Sequence, residues 1–255
     1  MSESVRYRWN GTGFVDITGL PETPLLAADS FLARDGGVVA FAEHAERFTR
    51  ATEAQGMLFP SRAYIDAFAE LIPRVGDWFP RLDFTVRGEI ECWMRPAPPL
   101  TTGVIFATAD HDPRTQPEIK GPDLEVLNSL RDDARSRGAD DAVILDQTGR
   151  IVDGATTCLV WWRNGALVSP PPEAVRVDSV TGRVLAQMAA EQGIPLALES
   201  IEPVALTGLT VWAINALHGI REVTAWLDGP TLAPNPDLTA QWRAAYELRR
   251  APLPR

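Results

Sequence analysis

A proline-rich stretch in the first half of the chain limits how the polypeptide can fold. It reads RPAPPLTTG, over residues 95–103, and holds three prolines in nine residues. Proline fixes φ and cannot continue a helix, so this stretch is stiff and extended. A chain of 255 residues is long enough for two modest domains. We therefore predict a small α/β domain over residues 1–96, a linker over 97–104 and a larger domain over 105–255.

Short strand and helix patterns on both sides of the linker predict an α+β fold in two lobes. VRYRW and FVDI alternate like short strands, whereas residues 42–56 and 61–72 are rich in helix formers. Beyond the linker the patterns predict strands at VIFAT and AVILD, helices over 123–138 and 179–193, a hairpin closing at Asn164-Gly165, and strands at TVWAIN, REVTAW and later segments. Because the strands and helices do not alternate strictly, the class is α+β.

The composition excludes several classes of partner and location. A net charge of −10 and a pI of about 4.8 repel polyanions, so nucleic acid is excluded as a partner. No apolar run approaches the ~18 residues of a membrane span, and the polar N-terminus starts no signal peptide. Cys92 and Cys158 form no CxxC pair and have no histidine at metal-ligand spacing, which favours a reduced interior without metal. We expect a cytoplasmic protein.

One lysine stands out because every other basic residue, apart from the histidines, is arginine. Lys120 is the single lysine among 24 lysines and arginines, in the stretch PEIKGPDLE. Arginine stays protonated in proteins, whereas a lysine amine can lose its proton and act as a nucleophile or base. A bias toward arginine codons would also leave one lysine as an ordinary solvated charge. The residues alone leave both interpretations open.

Four stretches together resemble a known family. They are DSFLARDGGVVAFAEHAERF (29–48), PEIKGPDLE (117–125), the strand-turn-strand run over 138–172, and SVTGRVLAQMAAEQGIPL (179–196) followed by TVWAINALHGIREV (210–223). Their order resembles that of the class IV aminotransferases, pyridoxal-phosphate (PLP) enzymes of fold type IV. The family includes branched-chain and D-amino acid aminotransferases and aminodeoxychorismate lyase. The resemblance implies PLP as cofactor, a D-amino acid aminotransferase-like fold with PLP in the larger domain, and a homodimer.

The resemblance implies a role for three charged residues. Lys120 matches the lysine that forms a Schiff base with PLP, which requires a primary amine. Arg47 matches the arginine that holds the cofactor phosphate, and Asp153 the carboxylate beside the pyridine nitrogen. Apart from the family, Arg47 is more typical of a solvated helix face, whereas Asp153 is equally typical of a turn with Gly154.

The resemblance further implies that two backbone segments bind the phosphate. Val180 and Thr181 match a turn into a helix whose N–H groups bind anions. Asn215 and Ala216 match a loop that closes over the phosphate from the other side. His218 follows in this loop and is a candidate to face the substrate, whereas we expect the other two histidines to be structural.

Three positions depart from the family pattern. Asp153 replaces the usual glutamate, Glu125 stands where many members have a tyrosine five residues after the lysine, and Gly182 stands where an arginine usually follows the threonine. A shorter carboxylate does the same electrostatic work from a different distance. These departures keep open that the chain is a non-catalytic relative of the family.

The resemblance implies an enzyme that acts on the primary amine of a carboxylate-bearing substrate. The sequence NALHGI and the short chain favour an aminodeoxychorismate lyase-like reaction, which forms 4-aminobenzoate and pyruvate. The alternative is an amino acid aminotransferase of class IV, acting on branched-chain or D-amino acids. The substrate-carboxylate-binding residues are not predicted by any motif.

Overall fold

The computed structural model describes residues 4–57 and 61–254. The strands are β1 (Val5–Trp9), β2 (Phe14–Asp16), β3 (Leu25–Ser30), β4 (Ala33–Arg34), β5 (Gly37–Val39), β6 (Asp77–Trp78), β7 (Arg81–Thr85), β8 (Ile90–Met94), β9 (Gly103–Thr108), β10 (Asp141–Leu145), β11 (Ile151–Gly154), β12 (Cys158–Arg163), β13 (Ala166–Ser169), β14 (Leu196–Leu198), β15 (Val211–Asn215), β16 (Gly219–Leu227) and β17 (Arg250–Pro252). The helices are α1 (Phe41–Ala54), α2 (Ser61–Leu71), α3 (Leu124–Ser136), α4 (Val180–Glu191) and α5 (Pro236–Glu247), with a 3-10 turn at Pro203–Leu206. Each helix is too short or too polar to cross a bilayer within this described part.

The chain divides into two compact units. The first takes residues from 1–100, 119–122 and 249–255, and the second takes 101–118 and 123–248. The short segment 119–122, which carries Lys120, therefore belongs to the first unit although its neighbours in sequence belong to the second. The domain bounds of 1–96, 97–104 and 105–255 stay a prediction.

The first unit contains two antiparallel sheets. One has the order β2-β1-β8-β7-β3 and the other β17-β5-β4-β6. Helix α1 packs against β3, and its His44, Phe48 and Thr52 are buried at a spacing of four residues. This spacing puts one face of the helix on the sheet. It also brings the side chains of α1 to the buried end of β3.

The second unit is built on one mixed sheet. Its order is β11-β10-β9-β16-β15-β12-β13-β14, and β9 pairs in parallel with both β10 and β16. The predicted hairpin is present between β12 and β13. Asn164 and Gly165 at its tip both have positive φ, as a two-residue type I′ turn requires. An apolar core lies on one face, around Phe106, Trp161 and Val211.

The expectation of further strands after REVTAW is confirmed for the short β17 but is wrong over 236–247, where the chain forms α5. Asn235 caps this helix by accepting a hydrogen bond from Leu238 N–H, and Pro236 fits the first turn because no N–H is needed there. The buried Trp242 packs against Trp162 and Trp212, with ring centroids 5.3 and 5.6 Å away. The α+β class itself is confirmed.

Candidate active site

Lys120 is held against β3 by its own backbone. Its carbonyl accepts a hydrogen bond of 2.6 Å from Ala28 N–H. The next residue, Gly121, has φ of 134°, and a Cβ there would lie 2.7 Å from the backbone of Ala27 and Ala28. Only glycine allows the two backbones to approach this closely. Lys120 itself is half-buried.

A buried carboxylate organises the side chains around this segment. Asp29, at the buried end of β3, bonds His44 Nδ1 through Oδ1 at 2.8 Å and accepts from Arg47 Nε through Oδ2 at 2.7 Å. Burial raises the pKa of Asp29, but the charge of Arg47 and the hydrogen bonds of His44 and Arg47 outweigh it and hold that pKa well below its usual value. Asp29 is therefore ionised and fixes the orientation of the Arg47 guanidinium through Nε.

His44 is a neutral member of this group. Burial lowers its pKa against the opposing effect of Asp29, and the charge of Lys120 lowers that pKa further. Because an ionised carboxylate only accepts hydrogen bonds, Nδ1 of His44 carries the proton and Nε2 is an acceptor. The expectation of a structural His44 agrees with this buried hydrogen bond.

Asp153 lies on β11 in the second unit and is buried. Its Oδ1 has no hydrogen-bond partner among the described residues. Burial raises the pKa of Asp153 to about 7, although the charges of Arg176 and Arg114 and a hydrogen bond with Cys158 act in the opposite direction. The next residue is Gly154, and Thr157 leaves no room there for a side chain. A Cβ on residue 154 would lie 2.4 Å from Thr157 Oγ1. The buried oxygen needs a donor that the described side chains do not provide.

The first turn of α4 presents another polar atom without a partner. Ser179 caps the helix, accepting from Gly182 N–H through Oγ and from Arg183 N–H through its carbonyl. The N–H groups of Val180 and Thr181, at the first two helical positions, have no acceptor inside the helix. Oγ1 of Thr181 is buried and also unpartnered within residues 4–57 and 61–254. Two backbone donors and one hydroxyl therefore lie in the first turn of α4, at its positive end, which suits an anion.

The loop after β15 is held by one amide side chain. Asn215 donates from Nδ2 to the Thr156 carbonyl, and its Oδ1 accepts from the N–H groups of Leu217 and His218. These bonds fix the loop that contains Ala216. His218 Nδ1 accepts from Thr101 N–H, and burial lowers the pKa of His218 to about 4. His218 is therefore neutral at pH 7.

Two of the three departures from the family pattern have local explanations. Glu125 is exposed on the first turn of α3, where a carboxylate favours the helix N-terminus. At Gly182 a Cβ would lie 3.2 Å from Cβ of the capping Ser179, so a larger side chain there is crowded by the cap.

The structure groups the predicted site residues by unit. Lys120 and Arg47 lie in the first unit, around Asp29; the other five, all in the second unit, are Asp153, Val180, Thr181, Asn215 and Ala216. Sequence reasoning missed Asp29, although an aspartate in the apolar run LLAADS is unusual enough to point to a buried ionic contact. It also missed Cys158 beside Asp153, for which the sequence offers no pattern.

Comparison with known proteins shows the family. The chain belongs to the class IV aminotransferases, because the family model described as amino-transferase class IV matches residues 26–226. This family consists of PLP-dependent enzymes. The resemblance, the enzyme class and the PLP cofactor predicted from the sequence are thereby confirmed. The individual site residues stay predictions.

Solved structures agree with the fold at low sequence identity. A branched-chain aminotransferase from Thermoproteus uzoniensis, solved with norvaline, is 21% identical, with a TM-score of 0.81 over 95% of this chain and 94% of that one. A fold IV transaminase from Curtobacterium pusillum is 16% identical, with a TM-score of 0.81 over 96% and 98%. A hypothetical aminotransferase from Mycobacterium tuberculosis in its PLP-bound form is 17% identical, with a TM-score of 0.80 over 96% and 98%. The expected fold type IV is confirmed. No curated protein matched in a sequence comparison.

The residues present fit PLP. The unpartnered Oδ1 of Asp153 is an acceptor for a protonated ring nitrogen. The unpartnered Oγ1 of Thr181, with the first N–H groups of α4, suits a phosphate. Lys120 supplies the primary amine. The pKa of Asp153 is raised because its ionised form is buried, so a cationic partner such as a protonated ring nitrogen would stabilise that ionised form.

The contact at Gly121 predicts a position-specific sensitivity. We expect Gly121→Ala to lower the free energy of unfolding by about 2–4 kcal/mol, because the added Cβ overlaps the backbone of β3. It should also reduce the fraction of Lys120 that bonds PLP. Gly138→Ala is the matched control: its φ is also positive, at 92°, but nothing lies within 4 Å of the added Cβ. Urea titration should give a cost of about 1 kcal/mol for the control; equal costs would contradict this account.

The raised pKa of Asp153 predicts a pH-dependent stability of the cofactor-free protein. A carboxyl whose folded-state pKa is about 7, against an ordinary 3.8, contributes stability below pH 3.8 that is lost as the pH rises through 7. The loss reaches up to about 4 kcal/mol. Asp153→Asn removes this titration, so we expect the variant to be more stable than the parent at pH 8 and similar at pH 4, measured by urea unfolding.

The control for this experiment is Asp146→Asn. The pKa of Asp146 is lowered, mainly by a hydrogen bond from Arg150 N–H. The ionised form of Asp146 therefore favours folding. Removing that charge should bring no gain at pH 8. A parent protein whose stability rises steadily from pH 4 to 8, unchanged by Asp153→Asn, would contradict the assignment.

Proposed function

We propose that the protein removes a proton from the carbon that bears a primary amine in a carboxylate-containing substrate, with Lys120 as the base. The observation that carries the proposal is the placement of the chain's one lysine, half-buried and tied to β3 beside the group of Asp29, His44 and Arg47. A lysine amine in such a position can serve first as a nucleophile and then as a base.

Each predicted site residue has a defined task in this proposal. Lys120 would hold the cofactor through its amine and would take the proton from the substrate carbon that bears the primary amine. Arg47 binds the cofactor phosphate with a guanidinium that Asp29 orients. Asp153 keeps the pyridine nitrogen protonated. PLP itself supplies an electron-accepting ring.

The remaining three assignments concern the phosphate. Val180 and Thr181 offer the N–H groups and the hydroxyl at the start of α4. Asn215 acts by shaping the loop that presents Ala216, because its own amide atoms are bonded within the protein. These roles rest on the family resemblance together with the local geometry.

An aminodeoxychorismate lyase-like reaction is our first candidate, on the basis of the NALHGI loop. An amino acid aminotransferase is the second candidate, supported by the likeness in fold to aminotransferase structures. We also propose that the protein is a cytoplasmic homodimer, following the family resemblance and, for the compartment, the free thiols of Cys92 and Cys158.

Borohydride reduction of the protein mixed with PLP tests the role of Lys120. We expect mass spectrometry to find one phosphopyridoxyl group, on Lys120, because no other lysine exists. Lys120→Arg should abolish the adduct. The control combines Lys120→Arg with Arg62→Lys, which moves the lysine to a helix position where the side chain is 92% exposed. An adduct in this control would show that any lysine suffices and would refute the proposed site.

Acceptor dependence separates the two candidate reactions. With aminodeoxychorismate as substrate, the lyase should release pyruvate over many turnovers without a keto acid, whereas an aminotransferase stalls after one turnover. We expect sustained pyruvate release by the parent protein and none by Lys120→Arg. Turnover that depends on an added keto-acid acceptor would exclude the lyase and leave the aminotransferase.

A further inference from the structure

Asp153 and Cys158 lie side by side at a short turn in the second unit. Asp153 is on β11 and Cys158 begins β12. Between them, Gly154 N–H donates to the Thr157 carbonyl at 2.7 Å, which brings the residue before the turn next to the residue after it. The thiol of Cys158 donates a hydrogen bond to the Asp153 carboxylate. Because Oδ1 of that carboxylate has no partner among the described residues, the contact with the thiol leaves this oxygen for a ligand.

The turn that joins the two residues is fixed by side chains from two other strands. The hydroxyls of Thr156 and Thr157 both donate to the fully buried Asp141 on β10, at 2.7 and 3.2 Å. From β15, Asn215 donates through Nδ2 to the Thr156 carbonyl at 3.1 Å. A turn held by these bonds presents the carboxylate and the thiol at its two ends in one arrangement.

The cap of α4 lies beside the same thiol. Cys158 pairs with Ile214 on β15, and paired residues direct their side chains to the same face of a sheet. A Cβ on Gly182 would lie 3.7 Å from Cδ1 of Ile214 and 3.2 Å from Cβ of Ser179, so the first turn of α4 packs over this face. The Ser179 hydroxyl accepts from Gly182 N–H and donates its own proton to the Cys158 sulfur. The thiol thereby connects the cap of α4 to the Asp153 carboxylate.

The thiol stays protonated over the range in which Asp153 titrates. Burial and the charge of Asp153 both raise the pKa of Cys158 well above its usual value. A protonated thiol donates a hydrogen bond without adding charge, whereas a thiolate beside a carboxylate would repel it. The other charges that act on Asp153 are those of Arg176 and Arg114, and both favour its ionised form. The bond donated by Cys158 favours the same form.

We infer that Cys158 is a positioning residue for the cofactor. Its S–H holds the Asp153 carboxylate so that Oδ1 remains for the ring nitrogen of PLP, and its sulfur ties that carboxylate to the helix whose first turn offers donors to the phosphate. This inference rests on the proposed function and adds a residue that the sequence resemblance does not assign. Cys158 acts only through orientation, because it bonds Asp153 and Asp153 meets the cofactor.

We expect this bond to matter most where the cofactor-free protein keeps Asp153 protonated. A thiol bonds an ionised carboxylate more strongly than a protonated one. Asp153 has a pKa of about 7 in the protein alone, and it is ionised when it pairs with a protonated ring nitrogen. Below pH 7 the bond therefore strengthens when PLP binds. Well above pH 7 it is already at full strength in the cofactor-free protein.

PLP titration of the cofactor-free protein, followed by the absorbance of the bound cofactor, tests this dependence. We expect Cys158→Ala to weaken PLP binding about tenfold at pH 6 and less than about twofold at pH 9. In urea unfolding without PLP, the stability that is lost as the pH rises should stop falling about one pH unit higher than in the parent, because losing the donor raises the folded-state pKa of Asp153. Cys158→Ser keeps a donor and should return both quantities close to those of the parent.

Cys92→Ala is the matched control, since it removes the other thiol from a buried position on β8 in the first unit. It should lower stability through lost packing and leave the pH dependence of PLP binding unchanged. If Cys158→Ala does not fold, Cys158→Val, which fills the position without a donor, carries the test. The inference is overturned by PLP affinity equal to that of the parent at pH 6, by a loss of the same size at pH 6 and pH 9, or by Cys158→Ser binding as weakly as Cys158→Ala.

The borohydride adduct on Lys120, measured in the same preparation of the parent protein, separates a failure of this inference from a failure of the proposed function. An adduct in the parent together with a pH-independent loss in Cys158→Ala refutes only the role of Cys158. A parent protein without an adduct refutes the proposed function and with it the cofactor role of Cys158. The urea profile of the cofactor-free variants then still reports whether Cys158 bonds Asp153.

Discussion

The hydrogen bond from Ala28 N–H to the Lys120 carbonyl is the contact on which the arrangement of the first unit depends. It requires Gly121, because any side chain there would overlap β3. Asp29 follows Ala28 on the same strand. Its carboxylate bonds the Arg47 guanidinium, which it orients, and the Nδ1 atom of His44, whose tautomer it determines. A single strand thus positions both the amine and the guanidinium that the family resemblance assigns to PLP.

Two buried aspartates show how partners decide the state of the same side chain. Both lose solvation, which raises their pKa values. Asp29 has the Arg47 guanidinium and the His44 N–H as direct partners, so its pKa falls below the usual range. Asp153 has one oxygen without a donor in the described chain, and its pKa rises to about 7. The carboxylate of Asp29 thus has its hydrogen-bond partners within the protein. The unpartnered oxygen of Asp153 suits a ligand that donates a hydrogen bond or carries positive charge.

Local sequence patterns predicted most elements because their causes are local. The hairpin at Asn164-Gly165 follows from turn chemistry, and α4 from its capping Ser179. Helix α5 was missed because the tryptophans and valines before it favoured strands over the cap at Asn235-Pro236. Lys120 was identified by its uniqueness, and the other site roles came from the family resemblance. The contacts of Asp29 join residues 15 and 18 positions apart, so they depend on the folded structure and leave no linear pattern.

The solitary lysine also makes the chemistry of the protein surface unusual. Acylating and reductive-alkylating reagents attack amines, and apart from the terminal amine this chain offers them only Lys120, whose position on β3 is fixed. Random conjugation through lysines, routine for fluorophores and solid supports, therefore becomes a modification of one half-buried residue. Tethering strategies have to use acidic side chains or an introduced cysteine instead, and the extent of amine labelling itself measures how accessible that locus is.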